Sequence, residues 1–244
     1  MILELDCGNS FIKWRLLDQG GVVMAGVAGR GEDILAELLK KATTDVSLCR
    51  LVSVRSDQET QAIVDSVSQA LAVSVVQAKP SKHLAGVTNA YDDYERLGLD
   101  RWLAIVGAYN LCGDACMVID VGTAVTVDLV TANGRHLGGY IAPGMGLLRG
   151  QLLSHTRRIQ YGVEEAQLAL VSAGPGTSTA EGVERGCLLM LRSYIASQVA
   201  QAEHYLGGRF ETYVTGGDAL LIADIPTVSS VPDLVFRGLA LACQ

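Results

Sequence analysis

One pattern occurs twice in this chain: an apolar run reaches an Asp, turns at a Gly followed by small polar residues, and continues as a second apolar run. The first copy is ILELDCGNSFIKWRLL, residues 2–17, and the second is CMVIDVGTAVTVDLV, residues 116–130. An unpaired carboxylate inside a strand is costly, so Asp6 and Asp120 need a structural or chemical reason. The repeated pattern predicts two α/β lobes, each opened by an Asp-x-Gly hairpin, with a cleft between them.

The segments that follow each hairpin complete the α/β pattern. Residues 1–27 predict antiparallel strands, and later apolar periodicity predicts helices over 34–42, 63–71 and 100–111 and strands over 49–54 and 73–78. Five predicted elements follow the second hairpin. They are the NGR turn, the LGGYIAPG strand, a long helix through Leu206, the ETYVTGG strand and a helix over 231–243. The pattern restarts near 112–116, which predicts an N-terminal lobe over 1–114 and a C-terminal lobe over 115–244.

Charge and composition narrow the classes of function. The net charge of −7 disfavours a nucleic-acid surface, and no apolar stretch reaches the ~18 residues that a membrane helix needs. Glu4 and Asp6 interrupt the first apolar run, which is untypical of a signal peptide. The six cysteines form no CxxC pair, so we expect reduced thiols that serve as small hydrophobes. These features predict a cytoplasmic protein that binds neither nucleic acid nor membrane.

The hairpins have the chemistry of a phosphate-binding site. A Gly lets the backbone turn tightly, and the exposed amide N–H groups of such a turn form an anion-binding concavity. A Ser or Thr hydroxyl adds a donor, and the Asp can hold a cation beside the phosphate. The alternative is that Asp and Gly only form ordinary turns. Two copies at matching places favour the phosphate-binding interpretation.

Five motifs carry a resemblance to a known family. DCGNSFIK (6–13), DVGTAVT (120–126) and VTGGD (214–218) resemble the phosphate-1, phosphate-2 and adenosine motifs of the acetate and sugar kinase/Hsp70/actin superfamily. NAYDDYERLGLDRW (89–102) and GTSTAEGVERG (176–186) are similar to segments of the type III pantothenate kinase family. The resemblance spans nearly the whole chain in the expected order. It implies two similar actin-like or ribonuclease-H-like lobes with mixed sheets flanked by helices and a nucleotide cleft between them.

The resemblance also implies an activity and its residues. The activity is transfer of the ATP γ-phosphoryl group to pantothenate, giving 4′-phosphopantothenate in the first step of coenzyme A biosynthesis. The implied ATP-binding residues are Asp6, Cys7, Gly8, Asn9, Ser10, Phe11, Ile12, Lys13, Thr123, Gly216 and Gly217. Among them, Asp6 would organise Mg²⁺ through water. The implied pantothenate-binding residues are Tyr91, Gly98, Leu99, Asp100, Arg101 and Thr179. A monovalent cation, K⁺ or NH₄⁺, is implied near Asp120, as is a homodimer with a shared active site.

Several of these residues have simpler alternatives. Asp100 is the candidate general base, but a carboxylate at a helix start is also favoured by the helix dipole. Arg101 suits the pantothenate carboxylate, although a structural salt bridge would also use its fork. Lys13 could be a solvated strand charge, and Thr179 a simple helix cap. Gly216 and Gly217 would equally suit a tight turn before a helix.

Two other functions compete with pantothenate phosphorylation. One is another small-molecule kinase or a phosphohydrolase of the same superfamily, which a panel of acceptors would distinguish. The other is a non-catalytic transcription accessory factor, which the acidic net charge and the Asp100-Arg101 pair disfavour.

Overall fold

The structure is a computed structural model that describes residues 1–29 and 46–244. The helix predicted over residues 34–42 lies outside the described residues. The chain divides into two compact units. Unit 1 comprises Met1–Leu111, Gly134–His136 and Asp233–Gln244, and unit 2 comprises Cys112–Asn133 and Leu137–Pro232.

Unit 1 is built on a five-stranded mixed sheet whose strand order is β3-β2-β1-β4-β5. The first three strands are antiparallel neighbours, as the sequence predicts, and β4 and β5 add in parallel beside β1. Large apolar side chains on one face, such as Leu5 and Trp14, are fully buried. The strands are β1 (Ile2–Cys7), β2 (Phe11–Asp18), β3 (Gly21–Gly29), β4 (Leu48–Ser53) and β5 (Val75–Gln77).

Two helices of unit 1 form where the sequence predicts them. α1 (Asp57–Leu71) begins with a capping box, in which Ser56 and Glu59 bond each other's backbone N–H groups and so satisfy donors at the helix start. α2 (Leu99–Cys112) is buried over most of its length. Between them lie a small hairpin of β6 (His83–Leu84) and β7 (Val87–Thr88), which the sequence analysis does not predict.

Unit 2 repeats the sheet of unit 1 with the same strand order, β10-β9-β8-β11-β12. β8 and β9 form the antiparallel hairpin, while β11 and β12 run parallel to β8. The strands are β8 (Cys116–Val121), β9 (Ala124–Val130), β10 (His136–Pro143), β11 (Glu211–Thr215) and β12 (Val228–Ser230). The expected fold class, α/β with two mixed sheets flanked by helices, is confirmed.

Three helices belong to unit 2. α5 (Thr179–Leu206) is the predicted long helix, and its buried Leu191 and Ile195 pack on the sheet. α3 (Met145–His155) and α4 (Val163–Ala169) pack beside α5 and are not predicted from the sequence. A short 3-10 helix over Ala219–Ile222 follows β11.

The last helix, α6 (Leu234–Ala242), returns to unit 1 and packs on β1 and β4. It meets α2 so closely that a Cβ at Gly238 would overlap the carbonyl of Leu103. Buried charges also hold this region, because Arg15 donates to the fully buried Glu4 at 2.6 Å and to Asp233 at 3.1 Å. The division into units therefore does not follow a single cut in the chain.

None of the helices in the described parts of the chain combines the length and apolar composition that crossing a bilayer requires.

Candidate active site

The first hairpin places Asp6 and Lys13 directly opposite each other on β1 and β2. Opposed residues of an antiparallel pair project from the same face of the sheet, with Cβ atoms about 5 Å apart. Both side chains are half-buried, whereas the next pair, Cys7 and Ile12, is buried in the core. Lys13 therefore lies on the same face as Asp6, as a phosphate-binding role requires.

The turn of this hairpin is held from outside by Val54 and Arg55, the two residues that follow β4. Val54 N donates to Cys7 O at 3.2 Å, and Arg55 Nε donates to Gly8 O at 2.9 Å. Asn9 at the tip of the turn is exposed. Arg55 is absent from the residues that the sequence analysis singles out, because nothing local in the sequence connects it to a turn 47 residues earlier.

Cys7 forms part of the support of the hairpin. Its side chain is fully buried, and burial, followed by the charge of Asp6, raises the pKa of its thiol to about 12. A thiol with this pKa stays protonated at neutral pH. Only the backbone of Cys7 is therefore available to a ligand.

The predicted substrate residues Tyr91 and Arg101 meet in unit 1. Arg101 Nη1 donates to the Tyr91 hydroxyl at 3.3 Å, and most of the Arg101 side chain is buried. The backbone of Tyr91 is fixed on both sides, since its N–H donates to Asn89 Oδ1 at 2.9 Å and its carbonyl accepts from Lys82 Nζ at 2.9 Å. Sequence reasoning singles out neither residue: Asn89 opens the 89–102 motif without a role of its own there, and Lys82 lies outside the motifs, so only these contacts reveal them.

Asp100 lies in the first turn of α2. Its Oδ1 accepts a hydrogen bond from the Arg101 N–H at 2.7 Å, and a Cβ added to Gly98 would come within 2.9 Å of the same oxygen. Gly98 therefore leaves room for the Asp100 carboxylate. The carbonyl of Gly98 accepts a hydrogen bond from Trp102 N, the first bond of the helix that begins at Leu99. A carboxylate has two oxygens, so a helix-start contact through Oδ1 is compatible with a role as base.

The second hairpin places Asp120 between two threonines. Asp120 on β8 is in register with Thr126 on β9 and with Thr215 on β11. At the end of β11, Gly216 has φ +102°, and a Cβ there would come within 2.6 Å of Asp120 Oδ1 and would overlap the carbonyl of Val121. The structure therefore brings Asp120 and Gly216 into direct contact, with the exposed Gly217 beside them.

Backbone groups enclose the turn of this second hairpin. Asp218 N donates to Val121 O at 2.9 Å, and Gly144 N donates to Thr123 O at 3.0 Å. A Cβ at Gly144 would overlap the carbonyl of Gly122. Gly144 belongs to the predicted LGGYIAPG strand segment, but sequence reasoning does not single it out because its neighbours lie in a distant turn.

The groups around Asp120 are mainly oxygen donors. One carboxylate, two flanking Thr positions and the carbonyls of the turn form an oxygen-rich environment, the ligand type that hard cations prefer. Across residues 1–29 and 46–244, no three His, Cys, Asp or Glu side chains are grouped to hold a metal ion. A Mg²⁺ ion would therefore depend on the phosphates of its nucleotide as well as on Asp6.

Thr179 is the first residue of α5, and it is exposed. The cap is the preceding residue, since Ser178 Oγ accepts from Glu181 N at 3.2 Å. The alternative that Thr179 itself caps the helix is therefore excluded, which leaves its hydroxyl available to a ligand.

The comparisons with known proteins agree in one family. A family model described as type III pantothenate kinase matches residues 2–201. A type III pantothenate kinase from Ectopseudomonas mendocina is 56% identical over 246 aligned residues, which cover 100% of this chain and 99% of that protein. One from Pseudomonas syringae pv. syringae is 57% identical with the same coverage.

A solved structure gives an independent likeness of fold. The ethanolamine utilization protein EutJ from Carboxydothermus hydrogenoformans matches with a TM-score of 0.55 at 15% identity, covering 98% of this chain and 89% of that chain. At this level of identity the likeness concerns the fold alone. It agrees with the architecture of two mixed sheets flanked by helices.

Proposed function

We propose that this chain, which belongs to the type III pantothenate kinase family, transfers the γ-phosphoryl group of ATP to the primary hydroxyl of pantothenate. The enzyme is a phosphotransferase with an alcohol acceptor, and its product enters coenzyme A biosynthesis. The observation that carries the proposal is the repeated Asp-x-Gly hairpin, with Asp6 facing Lys13 in one copy and Asp120 touching Gly216 in the other.

The hairpins are assigned to the nucleotide. Phosphoryl transfer depends mainly on positioning and on neutralising charge. The turn amides of Gly8, Asn9 and Ser10, together with Lys13, bind phosphate oxygens in one copy, and Thr123 does so in the other. Asp6 orients the water shell of Mg²⁺, which supplies charge neutralisation when bound. Gly216 and Gly217 present bare backbone to the adenosine.

Asp100 is assigned as the general base and Arg101 as the partner of the pantothenate carboxylate. Proton removal is late in a loose transition state, so a carboxylate suffices as the base. The Arg101 fork suits a carboxylate, and its bond to the Tyr91 hydroxyl supports a fixed orientation of both side chains. Gly98 and Leu99 complete the turn that presents Asp100.

Asp120 is assigned to a monovalent cation, K⁺ or NH₄⁺. A single carboxylate flanked by Thr126 and Thr215 has the charge and oxygen content that such an ion requires. Bound there, the ion would offset phosphate charge beside the second hairpin.

A homodimer is assigned from the exposed apolar surface of unit 2. Leu189 on α5 is 67% exposed, and Val171 in the preceding segment is 81% exposed. Exposed apolar residues on α4, Val163 and Leu168, extend the same kind of surface. Clustered exposed apolar groups mark interaction surfaces, and the occupant we assign is a second copy of this chain, which shares its pantothenate site.

A cytoplasmic location agrees with the cysteines. All six are free thiols, the state that a reducing compartment maintains.

The function is tested by measuring ADP formation by the purified protein with and without pantothenate, alongside a panel of other alcohols. We expect ADP formation that requires pantothenate and that falls by about 100-fold or more in Asp100→Asn, with ATP affinity little changed. Near-normal turnover of that variant would remove Asp100 from the mechanism. Preference for another acceptor would instead redirect the substrate assignment.

The shared site is tested by mixing two inactive variants, Asp100→Asn and a disruptive Thr179 variant, then unfolding and refolding them together. In a mixed two-fold dimer one site collects both lesions and the other neither. Random re-association makes about half of the dimers mixed, so about a quarter of all sites recover activity. No recovery despite mixed dimers seen by native mass spectrometry would mean that each site lies within one subunit.

A further inference from the structure

Arg185, on the second turn of α5, uses every N–H of its guanidinium. An Arg side chain carries five N–H donors, and here five acceptors surround it. Nε donates to Ala169 O at 2.8 Å, and Nη1 donates to the carbonyls of Gly174 and Pro175 at 3.4 and 3.3 Å. Nη2 donates to Ser172 Oγ at 2.9 Å and to Glu181 Oε1 at 2.7 Å.

Ala169 is the last residue of α4, and Ser172, Gly174 and Pro175 lie in the segment that leads from α4 into α5. The same segment touches the helix again at Gly176, where a Cβ would overlap the backbone N of Gly182. The segment is therefore fixed at two places. One is the Arg185 guanidinium, and the other is the backbone contact at Gly176, where a residue larger than Gly would not fit. The segment contains no helix or strand between Ala169 and Thr179, so these contacts set its course.

Glu181 accepts hydrogen bonds from both Arg185 and Thr177, and Thr177 lies two residues before Thr179. Its Oε2 accepts from Thr177 N at 2.7 Å and from Thr177 Oγ1 at 2.9 Å, while Oε1 holds Arg185. These bonds to Thr177, ahead of the charge of Arg185, hold the pKa of the Glu181 carboxyl below its usual range. The carboxylate thus stays charged, and the contacts persist, throughout the neutral pH range.

We infer that Arg185 is a positioning residue, which together with Glu181 fixes residues 170–178 and thereby the direction in which Thr179 presents its hydroxyl to pantothenate. The inference rests on the proposed function, in which Thr179 contacts pantothenate. Arg185 itself contacts no substrate. Its effect is to keep the start of α5 in one arrangement before the substrate arrives.

Amide hydrogen exchange tests the structural half of the inference without any substrate. Arg185→Gln should raise exchange in peptides covering residues 170–178, including the Thr177 amide that Glu181 holds. Arg192→Gln is the matched control, because Arg192 lies two turns further along α5 and binds Asp224 and the carbonyl of Leu221. That control should leave exchange in 170–178 unchanged.

Steady-state kinetics test the functional half. Arg185→Gln should raise the KM for pantothenate about tenfold, since hydrogen bonds from a charged group are lost, and should leave the KM for ATP within about twofold. Arg185→Lys keeps the charge but loses the planar fork of donors, so its KM for pantothenate should lie between those of wild type and Arg185→Gln. Arg192→Gln should match wild type in both constants.

These experiments distinguish failure of the proposed kinase function from failure of the positioning role of Arg185. Wild-type protein without pantothenate kinase activity would end the proposed function, while the exchange data would still report on the segment. Faster exchange in 170–178 with an unchanged KM for pantothenate would overturn the positioning role, and so would unchanged exchange. If Arg185→Gln does not fold, the same two readouts are taken on Arg185→Lys and Glu181→Gln.

Discussion

The two hairpins share one contact and differ in another. In both, a backbone N–H donates to the carbonyl of the residue after the Asp, from Val54 to Cys7 and from Asp218 to Val121. The next carbonyl held in the first hairpin, that of Gly8, accepts from the flexible side chain of Arg55, whereas in the second the carbonyl of Thr123 accepts from the backbone N–H of Gly144. An Asp lies two residues before the turn Gly in both copies, but the turn has four residues between Cys7 and Ile12 and three between Val121 and Val125. The same local pattern is therefore stabilised by a backbone and a side-chain contact in the first copy and by backbone contacts at both places in the second.

This difference predicts unequal tolerance to substitution. A flexible side chain can shift, and its loss leaves space for water. Backbone segments in contact cannot separate without moving whole loops, and protein interiors transmit such strain. We therefore expect the second hairpin to be the more rigid and the more sensitive to added volume.

The largest expected effect is that of Gly216→Ala. A positive φ and an overlap with the carbonyl of Val121 together cost about 3 kcal/mol or more in the free energy of unfolding. The displaced turn should also lower kcat/KM about 100-fold. Urea unfolding and the pantothenate assay measure both. Gly217→Ala, which has open space around its Cβ, is the stability control, and equal destabilisation of the two variants would contradict the enclosed second hairpin.

The second-largest expected effect concerns the carboxylates of the two hairpins, Asp6 and Asp120. If Asp120 holds the monovalent ion, replacing K⁺ with Na⁺ should lower wild-type activity, and Asp120→Asn should lower it by about tenfold in either salt, since a charged contact is lost. Asp6→Asn should also be impaired, yet it should keep the wild-type ratio of rates in K⁺ and Na⁺. Rates are compared in desalted protein. Loss of the K⁺ preference in Asp6→Asn, and its retention in Asp120→Asn, would reverse the assignment of the ion.

The smallest effect is that of Arg55→Ala. The variant loses the bond to Gly8 O, worth about 1–2 kcal/mol, but it also removes the Arg55 Nη2 atom, which is buried and has no hydrogen-bond partner among the described residues. These changes partly offset each other, so we expect a loss of at most about 1 kcal/mol in stability and a few-fold rise in the KM for ATP. Arg55→Lys should recover part of the affinity. A loss as large as that of Gly216→Ala would show that both hairpins are equally rigid.

Sequence reasoning succeeds where the pattern is local. Alternating apolar residues around an Asp-x-Gly turn predict both hairpins, because inward and outward side chains alternate along a strand. It fails for α3 and α4, whose apolar residues Leu147, Leu152, Val163 and Leu168 face outward and so leave no one-sided stripe. It also misses Arg55 and Gly144, since each acts on a turn that is distant along the chain.

The buried position of α6 has a consequence for biosynthesis. Leu234 and Leu239 are fully buried in unit 1, yet they follow all of unit 2 in the chain. A ribosome therefore finishes the residues of unit 2 while the face of β1 and β4 that α6 covers is still exposed. Domains generally fold as units during synthesis, the N-terminal one first, but here the earlier unit must wait for the later one. A nascent chain of this protein therefore exposes that face for most of its translation, until residues 234–242 have been made.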